Sequence, residues 1–403
     1  MKIAILGGGA AGYFLAANLH NTDGKHEITI FEQTSKVLQK VRISGGGRCN
    51  VTHACWDPAD LVEYYPRGKK ELLGPFHHFA CGDTMEWFES RGVSLKIEED
   101  GRVFPVSDQS QSIIDCLQAE AAKNHVSLRL QHKWIDWTRD QNNGYVLHFD
   151  KKPDYHADIV VVTTGSQPKN WNILKGKDID CVSPVPSLFT FRIDNKKLTS
   201  MAGISVQQGR VFLPSTDNSE CEGPILITHW GLSGPAILKM SAHAAIDLAK
   251  LNYKFVVSIS WLLLNTMDEF VEEMRLNHGK KRLKSIRPVE IPSRLWIYLL
   301  QRSKVDGEKV VSHLNKDEWT SLYQVLTADR YMVNGKTTYK SEFVTAGGME
   351  LSQLNFKNFK SKNYPGLYFS GEVLNIDAVT GGFNFQNAWT GSMLIANELN
   401  KIL

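Results

Sequence analysis

Residues 2–20 read KIAILGGGAAGYFLAANLH, and this stretch decides the fold. An apolar run suits a buried strand, Gly7-x-Gly9-x-x-Gly12 makes a sharp turn, and a helix follows with Phe14, Leu15 and Leu19 on one stripe. Gly7 permits the tight turn, Gly9 lets backbone approach a pyrophosphate, and Gly12 lets the helix lie close against the strand. The helix N-terminus then offers unpaired N–H groups and the positive end of its dipole to phosphate. A second strand, EITIFE (27–32), ends in Glu32, twenty residues after Gly12. A carboxylate there hydrogen-bonds ribose hydroxyls and disfavours a 2′-phosphate. This unit predicts a bound dinucleotide and leaves NAD and FAD both open.

Composition bounds the rest. A chain of 403 residues, 42% hydrophobic and 22% charged, is long enough for two or three domains of ordinary globular character. The net charge of +3 is small, and basic residues are scattered apart from short groups such as Lys69-Lys70 and Lys280-Lys281-Arg282, so charge does not imply nucleic acid. Six cysteines (Cys49, Cys55, Cys81, Cys116, Cys181, Cys221) form no C-x-x-C pair and no metal-ligand spacing; no metal is expected, and a reduced cytoplasmic setting is. YKFVVSISWLLL (253–264) is the longest apolar run and reads as a buried strand, too short for a membrane span.

Along the chain, helical pattern covers 72–90 and opens again at Ser107 or Asp108. Strands VSLRL (126–130) and YVLHFD (145–150) bracket HKWIDWTRD (132–140), and ADIVVVTTG (157–165) is a strand of the kind buried on both faces. From about 187 strands alternate without crossover helices, including EGPILITHWGLSGPAIL (222–238); helical pattern fills 266–328. The sequence therefore predicts an α/β, doubly wound nucleotide domain built from both chain ends (1–187 and 344–403). It is interrupted by a β-rich domain (188–265 and 329–343) and a helical subdomain (266–328).

The C-terminal stretch separates the two cofactors. In YPGLYFSGEVLNIDAVTGGFNFQNAW (364–389) a strand, an acidic loop, a Gly381-Gly382 turn and a helix starting near Asn384 follow one another. A helix N-terminus aimed into the site stabilises the negative charge of a reduced flavin, and Glu372 or Asp377 suits ribityl hydroxyls or a water-bridged pyrophosphate oxygen. NAD needs none of this at the far end of the chain; an extended FAD does. Within ISGGGRCNVTH (43–53), ISGGGRCN (43–50) then becomes a third contact surface, glycine-rich because a bulky ring lies against backbone.

In this order GGGAAG (7–12), ISGGGRCNVTH, GRVFP (101–105), THWGLSGPAIL (228–238), VTAGGM (344–349) and GLYFSGEVLNIDAVTGGFNFQNAW (366–389) resemble the BaiN/RdsA-like, or YhiN-type, family of FAD-dependent oxidoreductases over nearly the whole chain. The resemblance implies a Rossmann-like FAD-binding domain of the glutathione-reductase type, with FAD as cofactor and NAD(P)H as transient reductant. It assigns Gly7, Gly9, Ala10, Ala11 and Gly12 to the pyrophosphate and Glu32, with Gln33, to the ribose. Ser44, Gly45, Gly46, Gly47, Arg48, Cys49 and Asn50 line the flavin side, with Thr164 and Gly165 close to the cofactor. Lys40, Gly371, Glu372, Asp377, Gly382, Phe383 and Asn384 complete the expected contacts. Two departures stand out: Leu374-Asn375-Ile376-Asp377-Ala378 where the family reads L-D-x-D-G, and SQPKNWNILKGKD (166–178) in place of a glycine-rich segment.

For chemistry, Arg48 is a candidate stabiliser of flavin or substrate charge and His229 a candidate proton-handling group; Cys49, without a partner cysteine, reads as packed and inert. Ser233 lacks the G-x-S-x-G elbow of a hydrolase. The expected reaction is NAD(P)H-driven reduction of an activated C=C bond in a small or medium, steroid-like substrate. The alternatives are an amine or aminoketone oxidase using O₂, a flavin-dependent RNA-modifying protein, and a non-catalytic flavin binder. Neither a nucleic-acid partner nor a membrane is expected.

Overall fold

The computed structural model describes residues 1–140, 144–215, 220–337 and 344–403. It divides into two units, Met1–Val185 with Lys340–Leu403, and Pro186–Tyr339.

In the first unit the strand Lys2–Leu6 lies between Ile159–Val162 and Glu27–Phe31, with Ser127–Arg129 beyond one and Leu367–Phe369 beyond the other. All five are parallel. Parallel strands covered on both faces need unbroken apolar runs, and IAIL and IVVV supply them. Two short antiparallel strands, Leu354–Asn355 and Lys360–Ser361, finish one edge. The helix Ala10–Asn18 packs against the helices Ser110–Lys123 and Phe383–Leu399. Its Phe14 is fully buried, with ring centroids 4.6 Å from Trp87 and 5.0 Å from Trp389.

An antiparallel meander, Trp134–Arg139, Tyr145–Phe149 and Lys152–Ala157, covers Phe31 of the parallel sheet, which stacks on Phe149 at 4.7 Å and meets Tyr155 at 4.9 Å. The stretch 132–140, read as a connector between strands, thus contains the first strand of the meander. A register shift between Trp134 and Asp136 breaks its period of two, so Trp134 and Trp137 are both buried at a spacing of three.

The second unit is a seven-stranded sheet in the order Asp329–Asn334, Lys254–Ser260, Ser205–Phe212, Glu220–Thr228, Gly231–Ser233, Thr190–Arg192 and Lys336–Thr337, each neighbour antiparallel. The sequence reading ran strand texture through PAIL; Pro235 instead opens a helix, Pro235–His243. Proline's fixed φ and missing N–H suit a first helical turn and not a central strand. The helices Met267–His278, Ser293–Ser303 and Lys316–Ala328 share one core with the sheet, in which Trp296 and Trp319 join Ile259 and Trp261. Among the described residues no helix is long and apolar enough to cross a membrane.

The tightest approach in the first unit is at Gly12, where a Cβ would stand 2.1 Å from the Gly7 carbonyl oxygen and 2.8 Å from Thr163 Oγ1. The nearer of the two atoms is backbone and cannot swing aside as a side chain would. Gly12→Val should cost about 1–3 kcal/mol of stability through overpacking, read as a lowered thermal midpoint; an unchanged midpoint would mean that the helix is not seated on the strand.

Candidate cofactor and active site

The first glycine motif is held by its own surroundings. Gly7 N–H donates to Phe31 O at 2.8 Å, and Thr163 Oγ1 donates to both Leu6 O and Gly7 O at 3.0 Å. Glu32 Oε2 accepts from Gly8 N–H at 2.9 Å, while Oε1 accepts from Thr34 N–H at 2.8 Å. The carboxylate is therefore fixed at the end of the second strand, beside the glycine turn, with lone pairs left for a ribose. Gln33 next to it is exposed.

An extended FAD fits the residues present. No side chain caps the helix Ala10–Asn18, so the first-turn N–H groups of Ala10, Ala11 and Gly12 remain for phosphate. A Cβ at Gly9 would meet nothing within 4 Å, the space a pyrophosphate needs. Thr164 Oγ1 is buried without a protein partner. Farther along, Lys40 Nζ forms an ion pair with Glu372 Oε2 and lies 3.2 Å from Ser166 Oγ, and Gly165 approaches the same carboxylate. Gly371 packs against Ala11, and Ser392 Oγ donates to Ala11 O at 2.9 Å, which brings the C-terminal loop to the first motif.

The second glycine cluster and the C-terminal helix lock together. Ser44 leaves the helical path of Gln39–Gly47, and Gly45, Gly46 and Gly47 all turn with positive φ, a conformation that side chains resist. With its amide oriented to suit its neighbours, Asn50 accepts from Gly382 N–H at 3.0 Å and donates to Thr52 O at 2.9 Å. Thr52 Oγ1 donates to Gln386 Oε1 at 2.6 Å, Tyr65 OH to Phe383 O at 2.6 Å, and Trp389 Nε1 to Val51 O at 2.9 Å. The helix Phe383–Leu399 starts at Gly382 with no side chain capping it. Asn384 instead spends its amide on Ala378, donating to its O at 3.1 Å and accepting from its N–H at 3.0 Å. The free N–H groups of this N-terminus suit the pyrimidine edge of a flavin.

Four further residues singled out in the sequence have these surroundings. Arg48 lies over Phe104, its guanidinium carbon 3.9 Å from the ring centroid, and pairs with Glu98 at 2.6 Å and Asp108 at 3.4 Å, which raise its pKa further and tie the loop to them. Cys49 is completely buried, and burial pushes its thiol up to about 12. Asp377 is also completely buried and is held by Arg67 through two hydrogen bonds, so it anchors the loop and presents no free oxygen to a ribityl chain. His229 is exposed, in the turn between Glu220–Thr228 and Gly231–Ser233 of the second unit.

Sequence reading missed Arg67, Ser166, His53 and Tyr64. His53 places Nδ1 3.1 Å from Gly381 O and its ring 4.6 Å from Phe383, while Tyr64 stacks on Phe383 at 4.2 Å. The only signal for His53 was its place at the end of RCNVTH; Arg67 and Ser166 carried none.

Two measurements check this geometry. Glu32→Ala removes a charged acceptor worth about 1.5–3 kcal/mol, so FAD should dissociate at least tenfold more readily in a fluorescence titration; equal affinity would place the ribose elsewhere. In native protein at pH 8, iodoacetamide should leave Cys49 unlabelled by mass spectrometry and label it after unfolding, because the group is a thiol throughout the neutral range.

Known proteins can be set beside this geometry. The HI0933-like protein Rossmann domain matches residues 1–398. A ribosomal RNA dihydrouridine synthase of Escherichia coli is 28% identical over 98% of this chain and 97% of its own length. A 3-dehydro-bile acid delta(4,6)-reductase of Clostridium scindens is 24% identical over 98% of this chain and 97% of its own. In fold, the chain resembles the 3-ketosteroid delta1-dehydrogenase of Sterolibacterium denitrificans, with a TM-score of 0.52 at 10% identity over 100% of this chain and 99% of that one. Matched from its first residue to residue 398 and carrying a dinucleotide cradle joined to an uncapped C-terminal helix, the chain belongs to the HI0933-like Rossmann-domain family and is an FAD-dependent oxidoreductase.

Proposed function

We propose that this protein saturates a C=C bond conjugated to a carbonyl group, using NAD(P)H as the source of electrons. The observation that carries the reading is the bond chemistry common to two relatives matched end to end. A dihydrouridine synthase saturates the C5–C6 bond of uracil, conjugated to the C4 carbonyl; a delta(4,6)-reductase acting on a 3-dehydro bile acid saturates bonds conjugated to the C3 ketone. Bound FAD would supply hydride to the carbon β to the carbonyl.

The chain's own residues supply orientation and electrostatics. The Gly7–Gly12 turn and Glu32 fix the adenosine end, the paired Lys40 and Glu372 stand beside the middle of the cofactor, and the N-terminus of Phe383–Leu399 favours negative charge at the ring end. Cys49 is excluded as the proton donor by its burial. With no second G-x-G-x-x-G in the sequence, NAD(P)H shares the substrate's cleft in turn.

A uracil base within RNA is a second reading of the substrate. It is favoured by the 28% identity to the dihydrouridine synthase and by a domain, 186–339, in which lysine and arginine outnumber aspartate and glutamate. A compact conjugated ketone such as a steroid enone is the first reading.

The holoprotein, yellow from oxidised flavin, should bleach anaerobically with NADH or NADPH and recolour on adding either a Δ4-3-ketosteroid or uridine-containing ribosomal RNA, with the saturated product seen by mass spectrometry. Recolouring by the steroid alone supports the first substrate reading and by RNA alone the second. Bleaching by an amine and by neither nicotinamide would replace both with an oxidase.

A further inference from the structure

We propose that His53 is a positioning residue for the flavin, one that fixes the aim of the uncapped helix N-terminus at Phe383 through a hydrogen bond to Gly381 and a stack on Phe383. The inference rests on the FAD reading above and assigns a function to a residue that the cofactor motifs pass over.

The geometry is specific. His53 Nδ1 lies 3.1 Å from Gly381 O; a carbonyl only accepts, so Nδ1 carries the proton and the tautomer is set. The ring lies 4.6 Å from Phe383 at 30° and 5.7 Å from Tyr64, with Tyr64 nearly parallel to Phe383. Nε2 is closed in by Gly101, where a Cβ would stand 2.6 Å from it. A half-buried imidazole is thus held on three sides.

What it holds is the turn in which the helix begins. Gly381 and Gly382 have φ of 135° and 94°, and a Cβ on Gly382 would stand 2.5 Å from Thr52 O. One short segment, residues 50–53, grips this turn: Asn50 accepts from Gly382 N–H, Thr52 bonds Gln386, and His53 donates to Gly381 O. Thr52 fixes where the helix starts. Asn50 and His53 hold the two ends of the Gly381–Gly382 peptide, its N–H and its carbonyl oxygen, and this is the last peptide before the free N–H groups.

Aim decides the strength of such a site, because hydrogen bonds weaken steeply off axis. If those N–H groups meet the pyrimidine edge squarely, they favour the reduced, negatively charged cofactor over the oxidised one. The charges facing His53 are Asp100 and Arg102, of opposite sign, with Tyr64 the remaining titratable neighbour; burial lowers the imidazole pKa, so the ring is neutral at pH 7. It acts by direction and not by charge.

The test separates donor from ring. His53→Asn keeps a donor where Nδ1 stands and loses the ring; His53→Phe keeps a ring and loses the donor. FAD dissociation constants and the midpoint potential of the bound flavin are measured for both and for the wild-type protein, at pH 6 and pH 8. His53→Phe should weaken FAD about tenfold and lower the preference for reduced over oxidised cofactor about tenfold, about 30 mV for a two-electron couple. His53→Asn should stay within about threefold of wild type in both.

Wild-type affinity and potential in His53→Phe would overturn the proposal, as would equal losses in the two variants, which would mark the ring as mere packing. Failure of the wild-type protein to bind FAD would instead remove the cofactor reading on which it rests.

Discussion

The first unit depends on one close contact, the seating of Gly12 against the carbonyl of Gly7. With a notional Cβ only 2.1 Å from that oxygen, the helix axis comes as near to the strand as backbone permits. That nearness points the first-turn N–H groups out of the carboxyl edge of the sheet and brings Thr163 onto the carbonyls of Leu6 and Gly7. The neighbouring strand then releases Thr164 and Gly165 beside the same edge. A bulkier residue at position 12 would lift the helix and move every one of these groups together.

The start of the C-terminal helix is organised by long-range polar contacts. Asn50, Thr52 and Val51 reach Gly382, Gln386 and Trp389, more than three hundred residues away in sequence. Each is a hydrogen bond in a largely buried setting, where leaving one partner unsatisfied costs more than the bond itself contributes. The Arg67–Asp377 pair adds a further constraint, with Asp377 fully buried. Breaking such a pair from one side costs about 3–5 kcal/mol, so the loop between Gly371 and Phe383 has little freedom to take another path.

What the sequence disclosed follows the range of each interaction. Gly7, Gly12 and Glu32 were legible because turn, helix and acid lie within one strand–helix–strand unit, where spacing is geometry. The fold class followed from the same unit and from the apolar run at 159–162. The strand at 134–139 was hidden by a register shift, and the helix at Pro235 by apolar residues that serve strands equally well. The partners of Arg48 were illegible because Glu98 and Asp108 lie fifty and sixty residues on, and nothing in RCN announces them. His53, Arg67 and Ser166 acquire meaning only through Gly381, Asp377 and Glu372, partners that no local pattern can name.

The order of strands carries a consequence for synthesis. Ile159–Val162 has Lys2–Leu6 on one side and Leu367–Phe369 on the other, and the whole second unit is translated between the last two. A nascent chain that has passed residue 200 therefore holds an apolar strand with one unpaired edge, and it keeps that edge until Leu367–Phe369 has been made. Such edges invite pairing with other chains, and loops of this length close slowly. The bond between Trp389 and Val51 forms later still, so the turn at Gly381-Gly382 is tied to residues 50–53 only after the central strands have paired.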